Sequence, residues 1–316
     1  MIEILFLLIG LIVLAKSASW FIDGATLIGR LTGLSDVFIG LTVFAIGTSL
    51  PELAVNVTAS LNGLHELPLG NVLGSNIANL LFVLGVAAII RTVPVRWETV
   101  RIGLPLNLLA ILLVAVLAHE RFGIFRSTVG LSRLDGVILL AGFPVYAYFA
   151  LSLAHHAPPG GRTVGRRRLL LAVLATATAL IGLIVSAQWI VRGATSIVTL
   201  FGLSEHIVGL SIVALGTSLP ELATTVAALL KRQHELVVGN IIGSNLVNVF
   251  FVLGISATMN PLPVSPSQFI DIAAVALATA FVWFLLSVRK KPALTRQFGI
   301  FFVALYGLYQ LWRIRG

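Results

Sequence analysis

An all-α integral membrane fold is what this sequence predicts: ten transmembrane helices forming two inverted five-helix repeats. Three observations carry the prediction. Of 316 residues, 58% are hydrophobic and only 10% charged, with a mean hydropathy of +1.04; a soluble domain carries about 25% charged residues. Apolar runs of about 20 residues, each long enough to cross a bilayer core, recur along the chain. One polar signature also occurs twice: Gly47-Thr48-Ser49-Leu50-Pro51-Glu52 returns 169 residues later as Gly216-Thr217-Ser218-Leu219-Pro220-Glu221.

The first half reads as spans at about 4–29, 38–61, 67–90, 101–118 and 132–154. The second reads as spans at about 168–192, 206–230, 236–259, 269–288 and 297–313. All are expected to be helical, because a backbone in lipid must satisfy its own hydrogen bonds. The domains are therefore 1–154, a basic linker at 155–167 and 168–316. The linker runs from His155-His156 through Pro158, Pro159, Gly160, Gly161 and Arg162 to Arg166 and Arg167, and its paired His residues read as solvated. Five spans per half is an odd number, so the second copy enters the membrane from the opposite side. Inverted repeats of this kind build many secondary transporters, with the substrate site near the midplane. The first stretch lacks a basic leader and a small-residue cleavage site, and reads as a retained span.

The net charge of +9 lies mostly in short loops. The linker with the adjoining Arg168, and Arg91, Arg96, Arg101, Lys231, Arg232, Arg289, Lys290, Lys291, Arg296 and Arg30, fall on one side, together fourteen of 21 Lys and Arg. The positive-inside rule makes that side cytoplasmic and both termini external. Arg121, Arg126, Arg133, Arg313 and Arg315 fall on the other. This charge speaks of orientation rather than of nucleic acid. Membrane lipid and inorganic cations are the expected partners, and no obligate protein partner is evident. With no cysteine, disulfides and thiolate metal sites are excluded.

Each signature puts a carboxylate inside an apolar stretch. On a helix Thr48, Ser49 and Glu52 share a face, as do Thr217, Ser218 and Glu221. Pro51 and Pro220 remove a backbone donor, so the carbonyls of Ala45 and Ala214 are expected to lose their partners and become free ligands. The next span of each copy adds Ser75 and Asn79, or Ser244 and Asn248, at i and i+4. All are hard oxygen donors, suited to Na⁺ or Ca²⁺ and not to copper or structural zinc. The competing reading is helix glue, since Gly, Ser and Asn patterns also join membrane helices. It fits the glycines and Asn71, Asn76, Asn240 and Asn245 as well as a functional reading does. It fits Glu52 and Glu221 poorly, because a charge at a helix centre costs roughly 2.5–3.5 kcal/mol.

On these residues the chain resembles the cation/calcium exchanger superfamily, close to prokaryotic sodium/calcium exchangers. Gly-Thr-Ser-Leu-Pro-Glu and Gly-Ser-Asn, with an Asn four residues after the Ser, match in both halves. The resemblance implies a secondary antiporter, not an enzyme, exchanging Ca²⁺ for Na⁺ at one central site, with no cofactor, in a prokaryotic inner membrane. It implies ligands at Glu52, Glu221, Thr48, Thr217, Ser49, Ser218, Ser75, Ser244, Asn79 and Asn248, with the carbonyls of Ala45 and Ala214. Some relatives carry Asp where this chain has Asn248, which leaves two carboxylates here. Two Na⁺, two H⁺ or one Ca²⁺ neutralise them; three Na⁺ leave an excess charge, which is costly at low dielectric. Potassium is therefore not expected to be required. The nearest rival is a proton-driven exchanger of Ca²⁺ or another divalent cation, and after it a cation channel.

Lys16 and Asp23, seven residues apart on the first span, read as an interfacial pair or, through the resemblance, as a latch on a moving helix. His65-Glu66 and His234-Glu235 read as solvated helix starts. Trp97, Trp189, Trp283 and Trp312 read as interfacial anchors or packing.

Overall fold

The helices form along the apolar runs, with Ser35 and Ser132 capping two helix starts and Asn62 and Asn260 standing at two helix ends. The structure is a computed structural model that describes residues 2–119, 130–154, 166–200 and 214–315. The first half comprises α1 (Ile2–Thr32), α2 (Asp36–Ile39), α3 (Ala45–Thr48), α4 (Leu50–Leu61), α5 (Leu67–Ile77), α6 (Leu84–Ile90), α7 (Leu104–Ala118) and α8 (Arg133–Ser152). The second comprises α9 (Arg166–Leu200), α10 (Ala214–Thr217), α11 (Leu219–Leu230), α12 (His234–Val247), α13 (Gly254–Met259), α14 (Pro266–Ser287) and α15 (Arg296–Arg315). Four π-helical turns splice these pieces: Gly40–Phe44, Ala78–Val83, Thr99–Gly103 and Asn248–Leu253. Capping boxes at Ser132/Asp135 and Ser265/Gln268 start α8 and α14, satisfying backbone donors that a helix start leaves free.

Among the described residues, eight helices are long and apolar enough to cross a membrane. They match the expected spans except the seventh and tenth. The expected seventh span begins at 206–213, outside the described residues, and its remainder includes the apolar helix Leu219–Leu230. Helix α15 has the length, but its Gln, Tyr and Arg residues keep it out of that set. Most of the linker and Arg121 and Arg126 also lie outside the described residues.

Contacts between helix ends sort those ends into two groups. At one end, Val93–Pro94 (β1) pairs antiparallel with Ala293–Leu294 (β4), Arg96 bridges Glu235 at 3.3 Å, and the Ser35 hydroxyl donates to the Leu153 carbonyl at 2.6 Å. At the other, Gly130–Leu131 (β2) pairs with Leu262–Pro263 (β3), Asn260 donates to the Ser60 carbonyl at 2.5 Å, and Gln268 donates to the Glu66 carbonyl at 2.9 Å. The first group holds Arg91, Arg96, Lys231, Arg232, Arg289, Lys290, Lys291 and Arg296, which the loop charges had put on one side.

Helices α1 and α9 pack along their lengths and run antiparallel. A Cβ added at Gly10 would meet Ser186 and Ile190, one at Gly182 would meet Ser17, and one at Gly24 would meet Thr176. The pairing of Lys16 with Asp23 is corrected. Lys16 is exposed, while Asp23 pairs with Lys231 at 2.7 Å, and Lys231 also donates to the Ser19 carbonyl. Thr26 and Gln233 add a hydrogen bond at the same junction. His65 and Glu66 precede α5 and are exposed, and His234 and Glu235 open α12; His234, expected to be solvated, is instead half-buried with its Nδ1 shut off from water.

The core centres on α12, whose residues from Leu236 to Val247 are all buried. It crosses the α2–α3 segment at two glycines: a Cβ on Gly239 would lie 3.1 Å from the Gly40 Cα and from the Val37 carbonyl. Gly239→Val should therefore destabilise the protein by about 1–3 kcal/mol, the usual cost of overpacking. Its melting temperature in detergent should fall, whereas Gly307→Ala, at a position with open space around it, should leave it unchanged.

Candidate functional site

The doubled signature folds into a broken helix in each half. Ser49 stands between α3 and α4 with φ −83° and ψ 2°, and Ser218 between α10 and α11 with φ −86° and ψ 4°. Pro51 and Pro220 sit in the first turn of the helix that follows, where a missing N–H costs nothing. Glu52 and Glu221 occupy the same first turn, and both are fully buried.

The two copies meet across the halves. Ser75 donates to Glu52 Oε1 at 3.3 Å and lies 3.4 Å from the Thr217 hydroxyl of the other half. Thr48 lies 3.2 Å from the Ser244 hydroxyl, and both stand beside Glu221. Each carboxylate is thus flanked by a Ser from its own half and a Thr from the other. The two carboxylates lie close enough to feel each other's charge.

The described buried polar atoms that lack a hydrogen-bond partner concentrate here. They include Ser49 Oγ, Glu52 Oε2, Asn79 Oδ1, Ser218 Oγ, both oxygens of Glu221 and Asn248 Oδ1. A buried acceptor without a donor costs about 1–3 kcal/mol, and more if charged. Asp271 in α14 shows the contrast. It too is buried, but Arg313 sits 2.9 Å away and Tyr309 donates to it at 2.9 Å. Asp271 has its cation within the protein. Among the described residues Glu52 and Glu221 have no such cation, and no group of three or more His, Cys, Asp or Glu gathers.

Contacts join Glu52, Ser75 and Thr217, and Thr48, Ser244 and Glu221; Ser49, Ser218, Asn79 and Asn248 are buried as well. Ala45 joins them, but not for the expected reason. Its carbonyl keeps a partner, the Ser49 N–H at 3.2 Å, and meets the Ser244 hydroxyl at 3.4 Å. The donor that Pro51 lacks would have served Gly47, four residues back. Ala214 opens α10 at the edge of the described residues.

Three asparagines go beyond helix glue. Asn240 Oδ1 lies 3.2 Å from the Thr48 hydroxyl, whose single proton has a nearer acceptor in the Phe44 carbonyl at 2.9 Å, and Asn240 Nδ2 donates to Thr224 at 3.3 Å, so a candidate ligand of the first half touches the second. Asn76 and Asn245 bond to each other across the halves and to Asn248 and Asn79. The sequence signal was their place in Gly-Ser-Asn; the partner each would choose was not in it.

The family model described as sodium/calcium exchanger protein matches residues 2–152 and 171–315. The chain belongs to the sodium/calcium exchanger family. It is 35% identical over 293 residues to a putative antiporter, CaxA, of Alkalimonas amylolytica, covering 90% of this chain and 89% of that one. It is 36% identical over 304 residues to the inner membrane protein YrbG of Escherichia coli, covering 93% and 91%. A solved structure of the sodium-calcium exchanger NCX_Mj, soaked with 10 mM Na⁺ and zero Ca²⁺, superposes with a TM-score of 0.84 at 30% identity, covering 97% of each chain.

In an exchanger-family protein, a cation held by these unpartnered carboxylates would leave a thermodynamic signature. Ca²⁺ at a hundred times its dissociation constant should stabilise the chain by about 2.7 kcal/mol, visible as a raised melting temperature in detergent. The double variant Glu52→Gln/Glu221→Gln should lose that shift. Without Ca²⁺ it should melt no lower than the wild type, because two amides then stand where two acids were buried with oxygens unpartnered.

Proposed function

We propose that this chain is an antiporter that exchanges Ca²⁺ for Na⁺ by exposing one central site alternately to each side of the membrane. The observation that carries the reading is the pair of buried carboxylates, one from each copy of the signature, with oxygens unpartnered among hydroxyls and amides. Names of similar proteins, among them a sodium/calcium exchanger of Methanosarcina acetivorans at 28% identity, support the same substrates.

The ligand set is the one read from the sequence: Glu52, Glu221, Thr48, Thr217, Ser49, Ser218, Ser75, Ser244, Asn79 and Asn248, with the carbonyls of Ala45 and Ala214. One Ca²⁺ or two Na⁺ neutralise the two carboxylates. An empty site keeps two negative charges out of water, which opposes its crossing unloaded and so couples the two fluxes. Each ion must bind favourably to the occluded state, a requirement on differential affinity. K⁺ has no third carboxylate to balance it and is not required.

The architecture proposed for this cycle is ten spans in two inverted halves, 1–154 and 168–316, joined by a cytoplasmic linker at 155–167, with both termini outside a prokaryotic inner membrane. The antiparallel run of α1 against α9 supports the inversion, since residues 169 apart in the sequence lie on these two helices. The sorting of helix ends supports the odd number of crossings. The excess of Lys and Arg at one end supports its cytoplasmic assignment. Lipid is then the remaining partner.

Purified protein in vesicles loaded with Na⁺ should take up radioactive Ca²⁺ when diluted into Na⁺-free medium, and K⁺ should leave the rate unchanged. Glu52→Gln and Glu221→Gln should each lower uptake at least roughly a hundredfold, since removing one partner of a buried ion contact costs about 3–5 kcal/mol. Wild-type flux in both variants would sink the site. Uptake driven by a pH gradient and indifferent to Na⁺ would replace Na⁺ by H⁺ as the counter-ion.

A further inference from the structure

Asn79 and Asn248 each carry an amide that could turn either its oxygen or its NH₂ toward the site. Only the oxygen can hold a cation. In both residues Oδ1 is buried and unpartnered, while Nδ2 is engaged.

What engages it is a crossed pair. Asn248 Nδ2 donates to Asn76 Oδ1 at 3.2 Å, and Asn79 Nδ2 donates to Asn245 Oδ1 at 3.0 Å. Asn76 Nδ2 in turn donates to the Asn245 backbone carbonyl at 3.2 Å, and Asn245 Nδ2 to the Asn76 carbonyl at 3.3 Å. All four side chains are buried. The two carbonyls decide every orientation. A carbonyl only accepts, so Asn76 and Asn245 must turn their NH₂ groups to it. Their own oxygens then face Asn248 and Asn79, which must answer with NH₂. The oxygens of Asn248 and Asn79 have one direction left, away from the clamp and unpaired.

We propose that Asn76 and Asn245 are positioning residues, each fixing the ligand amide of the opposite half so that its oxygen faces the cation. Asn76 acts through Asn248, and Asn245 through Asn79. The proposal deepens the cation-exchange reading and rests on it. Merely gluing α5 to α12 would also use the Asn76–Asn245 contact, but it would not require the bonds to Asn248 and Asn79.

The crossed pairing gives a test that glue would not pass. The Ca²⁺ half-saturation of Na⁺-driven uptake is measured in vesicles for Asn76→Ala, Asn245→Ala, Asn79→Ala, Asn248→Ala and the four doubles that combine one clamp with one ligand substitution. Asn76→Ala should raise it roughly three- to tenfold, the factor one ordinary hydrogen bond corresponds to. In the Asn248→Ala background that factor should collapse toward one, and in the Asn79→Ala background it should persist. Asn245→Ala should show the mirror pattern. Additive effects in the crossed pairs, or an unchanged half-saturation in Asn76→Ala and Asn245→Ala, would overturn the clamp. Should Asn76→Ala fail to fold, Asn76→Ser keeps a hydroxyl near the Asn245 carbonyl and repeats the cycle, and the Asn245 arm stands by itself. If wild-type protein shows no Na⁺-driven uptake, the exchange reading fails alone. The same cycle read by Ca²⁺-induced thermal stabilisation then still tests the clamp.

Discussion

Two carboxylates held out of water with no cation of their own are the constraint to which the rest of the structure answers. A buried acid normally brings its partner, as Asp271 brings Arg313 and Tyr309. Glu52 and Glu221 are instead surrounded by groups that cannot neutralise them. Ser75, Thr217, Thr48 and Ser244 offer hydroxyl dipoles, which ease the cost of burial without removing the charge. Such a centre holds only if the surrounding packing is tight enough to keep it. That explains the close approaches behind it: Gly40 against Gly239, Gly243 against the Leu41 carbonyl, and the Tyr146 hydroxyl donating to that same carbonyl.

Departures from regular helix cluster at the same place. Ser49 and Ser218 leave helical geometry one turn before the two acids. A π turn starts one residue before Asn79 and another starts at Asn248. A regular helix can turn side chains three and four apart to one face, but it satisfies its interior backbone with itself and offers no carbonyl to that face. The wider π turn, often found at functional sites, and the Ser-Leu-Pro break both rotate the chain locally. By contrast α1, α9 and α14 are uninterrupted over their described lengths, and none of the candidate ligands lies on them.

Much of this was legible in the sequence, for physical reasons that also mark where legibility stopped. Glu52 and Glu221 stood out because charge in an apolar run is expensive and the run was duplicated. Ser75, Asn79, Ser244 and Asn248 followed from helical spacing. The carbonyl of Ala45 was misread because the missing donor of Pro51 was assigned to the wrong turn; four residues back is Gly47. Asp23 was matched with Lys16 because both lie on one helix, whereas its cation, Lys231, is brought to it by the fold from the other half. The π turns left no trace, since they differ from α turns by one residue of register and not by composition. The exchange of amides between Asn76 and Asn245 was equally silent, because it depends on how two copies of one motif face each other.

The halves are not perfect copies, and their differences lie one layer behind the ligands. In the first, Asn71 donates to Asn56, which donates to the Pro68 carbonyl, a local network that reaches no candidate ligand. In the second, Thr225 stands where Asn56 stood and its hydroxyl is unpartnered. Asn240, the counterpart of Asn71, bonds to Thr224 and sets its oxygen against the Thr48 hydroxyl of the other half. Under alternating access between inverted halves, an exact duplicate would make the two facing states equal in energy, since each would be the mirror of the other. Asn71 places its amide on Asn56, whereas Asn240 places its amide on Thr224 and its oxygen 3.2 Å from the Thr48 hydroxyl. The replacement of Asn56 by Thr225, and of the Asn71–Asn56 bond by Asn240–Thr224, breaks that equality one layer behind the ligands while the ligand set itself stays duplicated.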